Sequence, residues 1–581
     1  MHRVMLTAVA FMIAAIALAG SALADGHGEH SNYNKVYRNV TQERLNSPEA
    51  QNWLMYRRTY DSQGYSPLKQ ITRRNARRLV PVWTFSTGMR EAHQAPPVVN
   101  EGYMFITTPH NHLIALDAST GEQIWRYARE LPEDQYQMHP TNRGVALWED
   151  KVYMATADAY LVAFEASTGK VLWEAEVEDY SRGYYMTLAP LAANGKVMVG
   201  VSGGEFGIRG FVAAFDATTG EPAWKTYTIP GPGETGHDSW PGDTWKTGGV
   251  PVWLTGSFDP ELNLTYWGTG NGGPWMGDKR LGDNLYATSV IALDVDTGKM
   301  KAHHQYHWND TWDWDEVSAP LLVSFERDGR TIPGLIHPGR NGYLWFLERS
   351  ADSIGFVDAG PYVRQNVFTS LDPVTGRPEY DPARIPGTLR PAEFCPSLWG
   401  GKDWPPAAFS PRTRLIYIPA NENICGRLQG EEDVDYRPGE VFMGADDDDI
   451  SLVLHGDSDE WIGELQAWNV DTGKKAWSTK FESQNWGPVL ATAGDVVFMG
   501  GTNDRYFRAF DARNGKILWE QRTNSGVVGV PSTYAVDGVQ YVAVQSGWGV
   551  DAEREQASIN ALRGTNHQVP QGGVLWVFAL R

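Results

Sequence analysis

A short motif recurs along the chain and constrains its fold more than any other feature. Each copy begins with alanine, has Asp, Glu or Asn at its third position and ends with glycine: 115–121, 163–169, 214–220, 292–298, 467–473 and 509–515. A tryptophan follows four residues after the glycine in every copy except the fourth. The side chain at the third position can close a tight turn, and glycine accepts positive φ. Each copy therefore predicts two strands joined by a turn.

The spacing of the copies favours a repeated β architecture. Where copies are consecutive, their tryptophans fall 48, 51 and 42 residues apart, a period typical of solenoids and propellers. Alternating runs such as 151–155 and 496–500 precede the turns and predict half-buried antiparallel strands. The 24 tryptophans and 61 glycines also favour many short strands with tight turns. We predict an all-β chain.

The N-terminus predicts export. Residues 4–19 are apolar, and the small residues before Asp25 are typical of a cleavage site, so residues 1–24 are interpreted as a signal peptide. No second long apolar stretch follows, and hence no membrane span is expected. The net charge of −20 argues against nucleic acid and anionic lipid as partners, although a basic partner could dock.

The two cysteines, Cys395 and Cys425, most simply form one disulfide in an oxidising compartment. The chain has no Cys-x-x-Cys-His sequence, so it carries no covalent c-type haem.

The segment 308–317 concentrates acidic and aromatic residues. Asp313 and Asp315 alternate with Trp312 and Trp314. If the segment is extended, both carboxylates project from one face, and their mutual repulsion requires a shared proton or a cation. Hard cations with oxygen ligands are the natural partners. The alternative is a solvated acidic loop whose tryptophans pack elsewhere.

Further short segments interrupt the strand pattern in order along the chain: 93–97, 142–144, 186–190, 202–210, 252–253, 268–275, 337–342, 394–397, 400–406 and 485–487. Together with the repeat, they resemble the pyrroloquinoline-quinone (PQQ) alcohol dehydrogenases of the methanol and ethanol type over essentially the whole mature chain. The resemblance implies that residues 25–581 form one eight-bladed β-propeller closed by tryptophan-docking motifs. The strand near 573–580 would complete the blade that begins near 80–83.

The resemblance also implies a site. PQQ would lie on the propeller axis above Trp253, and the positions that match its contacts are Gln94, Arg143, Thr187, Ser202, Gly203, Gly204, Trp253, Arg340, Asp403, Trp404 and Trp486. The positions that match metal ligands are Glu205, Asn271, Asp313 and Asp315. Asp313 is also the expected general base, and Arg340 the arginine that reaches the reactive quinone carbonyls. These residue types suit the chemistry, since the cofactor's carboxylates need arginine and hydroxyl donors, the metal needs oxygen ligands, and alcohol oxidation needs a base.

Asp315 indicates which metal ion to expect. Relatives that use calcium usually have a small uncharged residue two positions after the catalytic aspartate, whereas lanthanide-dependent relatives have a second aspartate there. Glu205, Asp313 and Asp315 bring three formal negative charges, from which a trivalent ion gains more than Ca²⁺ does. We therefore expect a lanthanide ion, with Ca²⁺ as the alternative. Asp315 could instead pair with a nearby cation such as an arginine.

The sequence departs from the family at the ceiling of the cofactor site. Relatives usually have two adjacent, disulfide-linked cysteines where this chain has Gln137 and Met138. Gln94 replaces a frequent Glu, Asp403 a frequent Asn and Pro251 a frequent Thr. These changes leave the substrate range and the cofactor affinity open.

The implied function is periplasmic oxidation of alcohols to aldehydes or ketones by hydride transfer to PQQ, with electrons passed to a separate soluble cytochrome c. A polyol, sugar or bulky secondary alcohol as the substrate stays open, as does a homodimer. A non-enzymatic propeller scaffold is the alternative of a different class. It would be expected to have a lipid-attachment cysteine after the signal peptide, which this chain lacks. A scaffold would also have no reason to keep Glu205, Asn271, Asp313 and Arg340 together.

Overall fold

The computed structural model describes residues 35–446, 448–456, 458 and 460–581. The predicted signal peptide, residues 1–24, lies outside these ranges. The described chain is all-β, with two α-helices: α1 (Gln42–Asn46) and α2 (Asp551–Arg563). Neither helix is long and apolar enough to cross a membrane.

Most of the strands belong to antiparallel sheets of four strands, in which consecutive strands along the chain are neighbours. In chain order, the first four are sheet 1 (Val98–Asn100, Tyr103–Thr108, His112–Asp117, Gln123–Ala128), sheet 2 (Ala146–Trp148, Lys151–Ala155, Tyr160–Glu165, Val171–Glu176), sheet 3 (Leu191–Ala193, Lys196–Gly200, Phe211–Asp216, Pro222–Tyr227) and sheet 4 (Ser257–Asp259, Leu264–Gly268, Ser289–Asp294, Met300–Gln305).

Four more sheets follow: sheet 5 (Leu321–Leu322, Gly334–Pro338, Tyr343–Arg349, Ile354–Pro361), sheet 6 (Ala408–Ser410, Leu415–Asn421, Gly463–Asn469, Lys474–Phe481), sheet 7 (Leu490–Thr492, Val496–Met499, Tyr506–Asp511, Ile517–Arg522) and sheet 8 (Ser532–Val536, Val539–Ser546, Val574–Leu580, Leu79–Ser86). The strand Tyr65–Ser66 adds to sheet 7 in parallel with Leu490–Thr492. Insertions form two hairpins (Phe325–Arg327 with Arg330–Ile332, Phe368–Leu371 with Pro378–Tyr380) and a three-stranded sheet (Ala392–Phe394, Ile424–Leu428, Ile450–Leu454).

Sheet 8 joins the two ends of the described chain. The strand Leu79–Ser86 pairs antiparallel with Val574–Leu580, and Trp83 lies opposite Val577. This pairing confirms the prediction that the C-terminal strand completes the sheet begun near residue 80. The hydrogen bonds between these strands hide backbone groups that would otherwise form an exposed edge.

The recurring motif forms the turn between the third and fourth strands of its sheet, as predicted. In sheet 1, Asp117 Oδ1 accepts hydrogen bonds from the backbone N–H groups of Ser119 at 2.7 Å and Thr120 at 3.1 Å. The final glycine of each of the six copies has a φ between 64° and 79°. The sequence analysis missed a seventh turn of this kind, Asp372–Gly376, where Asp372 Oδ1 accepts from Thr375 N at 2.7 Å. It joins the two strands of an inserted hairpin.

The tryptophan of one sheet packs on the turn glycine of the next. A Cβ on Gly121 would lie 2.5 Å from the Trp83 ring, and one on Gly169 would lie 2.6 Å from Trp125. The same contact recurs for Gly220 with Trp173, Gly298 with Trp224 and Gly515 with Trp477. Indole N–H groups also reach across: Trp125 donates to Ala166 O, Trp224 to Val295 O, Trp477 to Ala512 O and Trp519 to Leu79 O. Each indole therefore links two sheets.

Cys395 and Cys425 form the predicted disulfide, with an S–S distance of 2.00 Å. Cys395 follows the strand Ala392–Phe394, and Cys425 lies in the paired strand Ile424–Leu428. The bond closes a loop that contains Asp403 and Trp404 and so ties that loop to the insertion.

Replacement of a turn glycine tests the contact between sheets. Gly121→Ala should lower the free energy of unfolding by about 1–3 kcal/mol more than Gly538→Ala, because the new methyl group meets the Trp83 ring. Gly538 is the matched control, since its φ of 78° is within a degree of that of Gly121 (79°), but no atom of the described residues lies within 4 Å of its Cβ position. Urea unfolding of both variants measures the difference. Equal losses would show that only the backbone conformation requires glycine.

Candidate active site

The predicted site residues converge because of where they fall in the sheets. Each lies just before the first strand or just after the second strand of its sheet: Gln94, Arg143, Thr187, Ser202–Glu205, Trp253, Asn271, Asp313, Asp315, Arg340, Asp403, Trp404 and Trp486. In an antiparallel pair, the start of one strand and the end of the next lie at the same end of the sheet. All of these residues therefore lie at the same end of their sheets.

The acidic segment is buried, but it is not the plain extended strand on which the sequence argument relied. Asp313 has a φ of 62°, in the left-handed region that side chains rarely adopt. Trp312 and Trp314 stack on one another, with ring centroids 4.9 Å apart, and both are fully buried. The alternative of a solvated loop is therefore wrong. Asp313 and Asp315 are each only 8 % exposed.

Both oxygens of Asp315 accept hydrogen bonds from residues of the site. Trp253 Nε1 donates to Oδ2 at 2.8 Å, and Asn271 N donates to Oδ1 at 2.5 Å. A Cβ on residue 270 would lie 2.4 Å from Oδ1, so only glycine permits this approach. Arg340 approaches Asp313 instead, at 3.7 Å from Nη1 to Oδ2. Asp315 thus links the tryptophan and the asparagine of the site.

The buried carboxylates repel one another. Burial, with the added charge of Asp315, raises the pKa of Asp313 well above its ordinary value. Burial also raises the pKa of Asp315 to about 7, although Arg340 opposes the rise and Glu205 adds to it. A cation would neutralise this repulsion and favour the charged forms.

Arg340 bridges two acidic groups. Its Nη2 donates to Asp403 Oδ2 at 2.7 Å, and its Nη1 donates to the backbone oxygen of Asp313 at 2.8 Å. Burial raises the pKa of Asp403, but the Arg340 charge opposes that rise. This pairing holds the guanidinium beside the aspartates.

Glu316 is a residue that the sequence analysis missed. Its carboxylate is buried and accepts from Arg340 N at 3.0 Å, from Asn341 N at 3.1 Å and from His337 Nε2 at 2.6 Å. It therefore fixes the loop that carries Arg340. The signal was available, since Glu316 directly follows Asp315 and is the next acidic residue of the segment.

A second network surrounds Arg143. Its Nη1 donates to Thr187 Oγ1 at 2.5 Å, and Thr187 Oγ1 lies 3.2 Å from Ser202 Oγ. The guanidinium carbon lies 4.8 Å from the ring centroid of Trp253 and 5.2 Å from that of Trp404. Burial lowers the pKa of Arg143 to about 10. The arginine is therefore a buried cation between two aromatic rings.

The remaining predicted residues either approach the site through their backbone or lie outside these two hydrogen-bond networks. Gly203 has a φ of 107°, and a Cβ at this position would lie 2.2 Å from Gly183 O. A Cβ at Gly204 would lie 3.2 Å from Asn271 Oδ1. Among the described residues, the side chains of Gln94 and Trp486 make no hydrogen bond to the Arg143 or Asp315 networks. Trp486 Nε1 donates instead to Glu555 Oε2 at 2.6 Å.

Comparison with known proteins decides the family. The sequence-family model described as PQQ glucose/ethanol/alcohol dehydrogenase, β-propeller domain, matches residues 53–352 and 463–542, which are more than half of the chain. The chain belongs to the PQQ-dependent alcohol dehydrogenases. It is 36% identical to the quinoprotein alcohol dehydrogenase PedH of Pseudomonas putida over 99% of this chain and 97% of that protein.

Two further similarities concern metal-dependent members of the family. The dehydrogenase is 34% identical to the lanthanide-dependent methanol dehydrogenase of Methylacidiphilum fumariolicum, over 92% of this chain and 93% of the relative. A europium-containing methanol dehydrogenase of known structure superposes with a TM-score of 0.86, at 34% identity, and covers 93% of this chain and 100% of its own. The β-propeller fold predicted from the sequence is thereby confirmed.

The side chains of this dehydrogenase fit both groups that the family implies. Within the part of the chain that the structure describes, Asp313 Oδ1 and both amide atoms of Asn271 are buried without a hydrogen-bond partner, so oxygen ligands for a hard cation are free. Arg143 Nε is likewise buried without a partner among those residues, and it can donate to a carboxylate of PQQ. Buried polar groups without partners are costly, which favours a bound ligand at these atoms.

Glu316 offers a test of how the Arg340 loop is held. Glu316→Gln should lower the free energy of unfolding by about 1–3 kcal/mol, because the amide NH₂ cannot accept from the N–H groups that the carboxylate serves. Glu520→Gln is the control, since Glu520 is exposed and, among the described residues, pairs with Arg508 at 3.3 Å. Urea unfolding measures both. A loss at Glu316 no larger than that at Glu520 would contradict its proposed role in holding the loop.

Proposed function

We propose that the chain is a periplasmic PQQ- and metal-dependent alcohol dehydrogenase that passes electrons to a separate soluble cytochrome c. One observation carries the proposal: Asp313 and Asp315 are buried carboxylates, Asp313 lies beside the Arg340 guanidinium, and Asp313 Oδ1 has no hydrogen-bond partner among the described residues. Such an arrangement is costly for the fold alone. It suits a site that binds a cation and moves a proton.

We assign the base to Asp313. Its free oxygen can take the hydroxyl proton of an alcohol while hydride leaves the carbinol carbon. When bound, PQQ and the metal ion supply an electrophilic quinone carbonyl that accepts the hydride. Arg340, held by Asp403 at 2.7 Å, places positive charge beside Asp313, where it stabilises negative charge that develops nearby.

The assignment of the other residues follows the same logic. Glu205, Asn271, Asp313 and Asp315 would bind the metal, and Asp315 would also orient Trp253 through the indole N–H. Trp253 would form the floor of the cofactor site. Arg143, Thr187 and Ser202, with the close backbone at Gly203 and Gly204, would bind PQQ together with Gln94, Asp403, Trp404 and Trp486.

The proposal extends to the architecture. The eight sheets defined above would be the eight blades of one ring formed by residues 25–581, with residues 1–24 removed on export. Indole contacts from Trp83 through Trp519, together with the strand pairing in sheet 8, support this arrangement. It places the loops that carry the site around a common axis.

Two alternatives concern the substrate and the class of protein. A polyol, a sugar or a bulky secondary alcohol stays a candidate, because Gln137 and Met138 replace the usual cysteine pair above the cofactor. A non-enzymatic scaffold is not favoured, since it gives no reason for the buried contacts among Asp313, Arg340 and Asp403. The oligomeric state, including a homodimer, is left to measurement.

Asp313→Asn tests the base. Asparagine tolerates the left-handed backbone and keeps one oxygen ligand, so the variant removes mainly the proton acceptor. We expect kcat for alcohol oxidation to fall about 10²–10⁴-fold. Dye-linked assays measure the rate, and PQQ and metal contents are checked in the same sample. The exposed Asp296→Ala serves as the control. A near wild-type rate with both groups bound would refute the assignment.

Asp315→Asn tests the metal. We expect La³⁺ to bind the PQQ-loaded wild type more tightly than Ca²⁺ and to activate it better, because the third carboxylate favours the trivalent ion. Asp315→Asn should remove that preference while it keeps an oxygen for Trp253 Nε1, which donates at 2.8 Å. Calorimetry of metal binding and dye-linked rates measure the effect.

Trp253→Phe separates the two roles of Asp315. It removes the indole N–H but leaves the carboxylate, so the preference for La³⁺ over Ca²⁺ should persist. Equal or better binding and activity with Ca²⁺ in the wild type would end the lanthanide proposal and leave the dehydrogenase proposal intact.

A further inference from the structure

Helix α2 lies beside the site but belongs to none of the segments that carry the family resemblance. It stands between two strands of sheet 8, Val539–Ser546 and Val574–Leu580. Asp551 and Glu555 are one helical turn apart and so share a face of the helix. The Asp551 side chain is 19 % exposed, whereas Glu555 is completely buried.

Asp551 ties the helix to the segment 134–141, here called the ceiling segment, which contains Gln137 and Met138. Asp551 Oδ2 lies 3.2 Å from His139 Nε2, an ion pair when the imidazole is protonated. Arg554 donates from Nη2 to Met138 O at 3.3 Å and from Nη1 to Asp551 Oδ1 at 3.1 Å. The segment that lacks the usual cysteine pair is thus held by contacts with α2.

Glu555 ties the same helix to Trp486. The indole Nε1 donates to Glu555 Oε2 at 2.6 Å, and both side chains are buried. Burial raises the pKa of Glu555 to about 8, and the charges of Asp403 and Asp551 add to the rise. Glu555 thus holds Trp486, a predicted cofactor contact, against α2.

The charge of Asp551 also reaches the catalytic arginine. Burial alone would lower the pKa of Arg340. The negative charges of Asp403, Asp315, Asp313 and Asp551 outweigh burial and raise the pKa above its ordinary value. The first turn of α2 thus contacts the segment 134–141, and the charge of Asp551 acts on Arg340.

We propose that α2 is a clamp that fixes two walls of the cofactor cleft: the segment 134–141 through Asp551 and Arg554, and the Trp486 indole through Glu555. The inference rests on the proposed function, because it takes the cleft to bind PQQ. Asp551, Arg554 and Glu555 are positioning residues that act through the ceiling segment and Trp486. Without the clamp, both walls lose a fixed position, and PQQ dissociates faster.

Equilibrium dialysis of the apo-protein against PQQ, with La³⁺ present, tests the clamp. Asp551→Asn and Glu555→Leu should each weaken PQQ binding by about tenfold. Asp551→Asn removes the negative charge that pairs with Arg554 and His139, and Glu555→Leu removes the acceptor for Trp486 Nε1. The loss should appear in the dissociation rate, because the walls no longer hold the bound cofactor.

Two variants serve as controls. Glu555→Gln should bind PQQ almost as the wild type does, because the amide oxygen still accepts from Trp486 Nε1. Glu553→Gln removes one negative charge from the same turn of α2, but the Glu553 side chain is exposed, and among the described residues its hydrogen-bond partner is Gln571. It should leave PQQ binding unchanged. Circular dichroism checks that each variant is folded.

Hydrogen exchange gives a readout that does not depend on the cofactor. Backbone amides in 134–141 should exchange faster in Asp551→Asn than in Glu553→Gln. Unchanged exchange there, or unchanged PQQ affinity in folded Asp551→Asn and Glu555→Leu, would overturn the clamp. A wild type that fails to bind PQQ would refute the proposed function instead, and the exchange rates would still decide whether α2 holds the segment 134–141.

Discussion

The packing of an indole on a glycine is the interaction on which the rest of the structure depends. Trp83 covers Gly121, Trp125 covers Gly169, and the contact repeats from sheet to sheet. A Cβ at these glycines would overlap the ring, so the contact sets the distance between neighbouring sheets. The indole N–H groups of Trp125, Trp224, Trp477 and Trp519 also donate to the next sheet, which restricts the relative orientation of the sheets that they join. The loops at one end then meet.

Because the loops meet, charged side chains are concentrated in a buried region. Asp313, Asp315 and Arg340 are each at most 8 % exposed, and the two aspartates have raised pKa values because burial disfavours their charged forms. The fold tolerates this because Arg340, Trp253 and backbone N–H groups pair with some of the oxygens. Asp313 Oδ1, the Asn271 amide and Arg143 Nε find no hydrogen-bond partner among the described residues, and they are atoms that we propose a metal ion and PQQ would use. Under that proposal, the cost to stability falls where it serves binding and catalysis.

Glu316 and helix α2 support this site from behind. Glu316 holds the backbone of the Arg340 loop, and helix α2 contacts both the ceiling segment and Trp486. Such residues do not touch the reacting atoms. They decide how rigidly the reacting groups are held, on which binding and catalysis depend.

The sequence alone determined the all-β class, the strand–turn–strand repeats, the disulfide and the family. Each of these rests on a local pattern or an ordered set of motifs, such as Asp117 with Gly121 or the pair Asp313 and Asp315. It did not show that Asp372–Gly376 is another such turn, because the copy lacks the flanking alanine and tryptophan. Nor did it show the left-handed backbone of Asp313, the anchoring role of Glu316 or the contact of Glu555 with Trp486, 69 residues away. Only the tertiary structure decided these, because burial and pairing between distant segments depend on how the sheets pack and leave no periodic trace in the sequence.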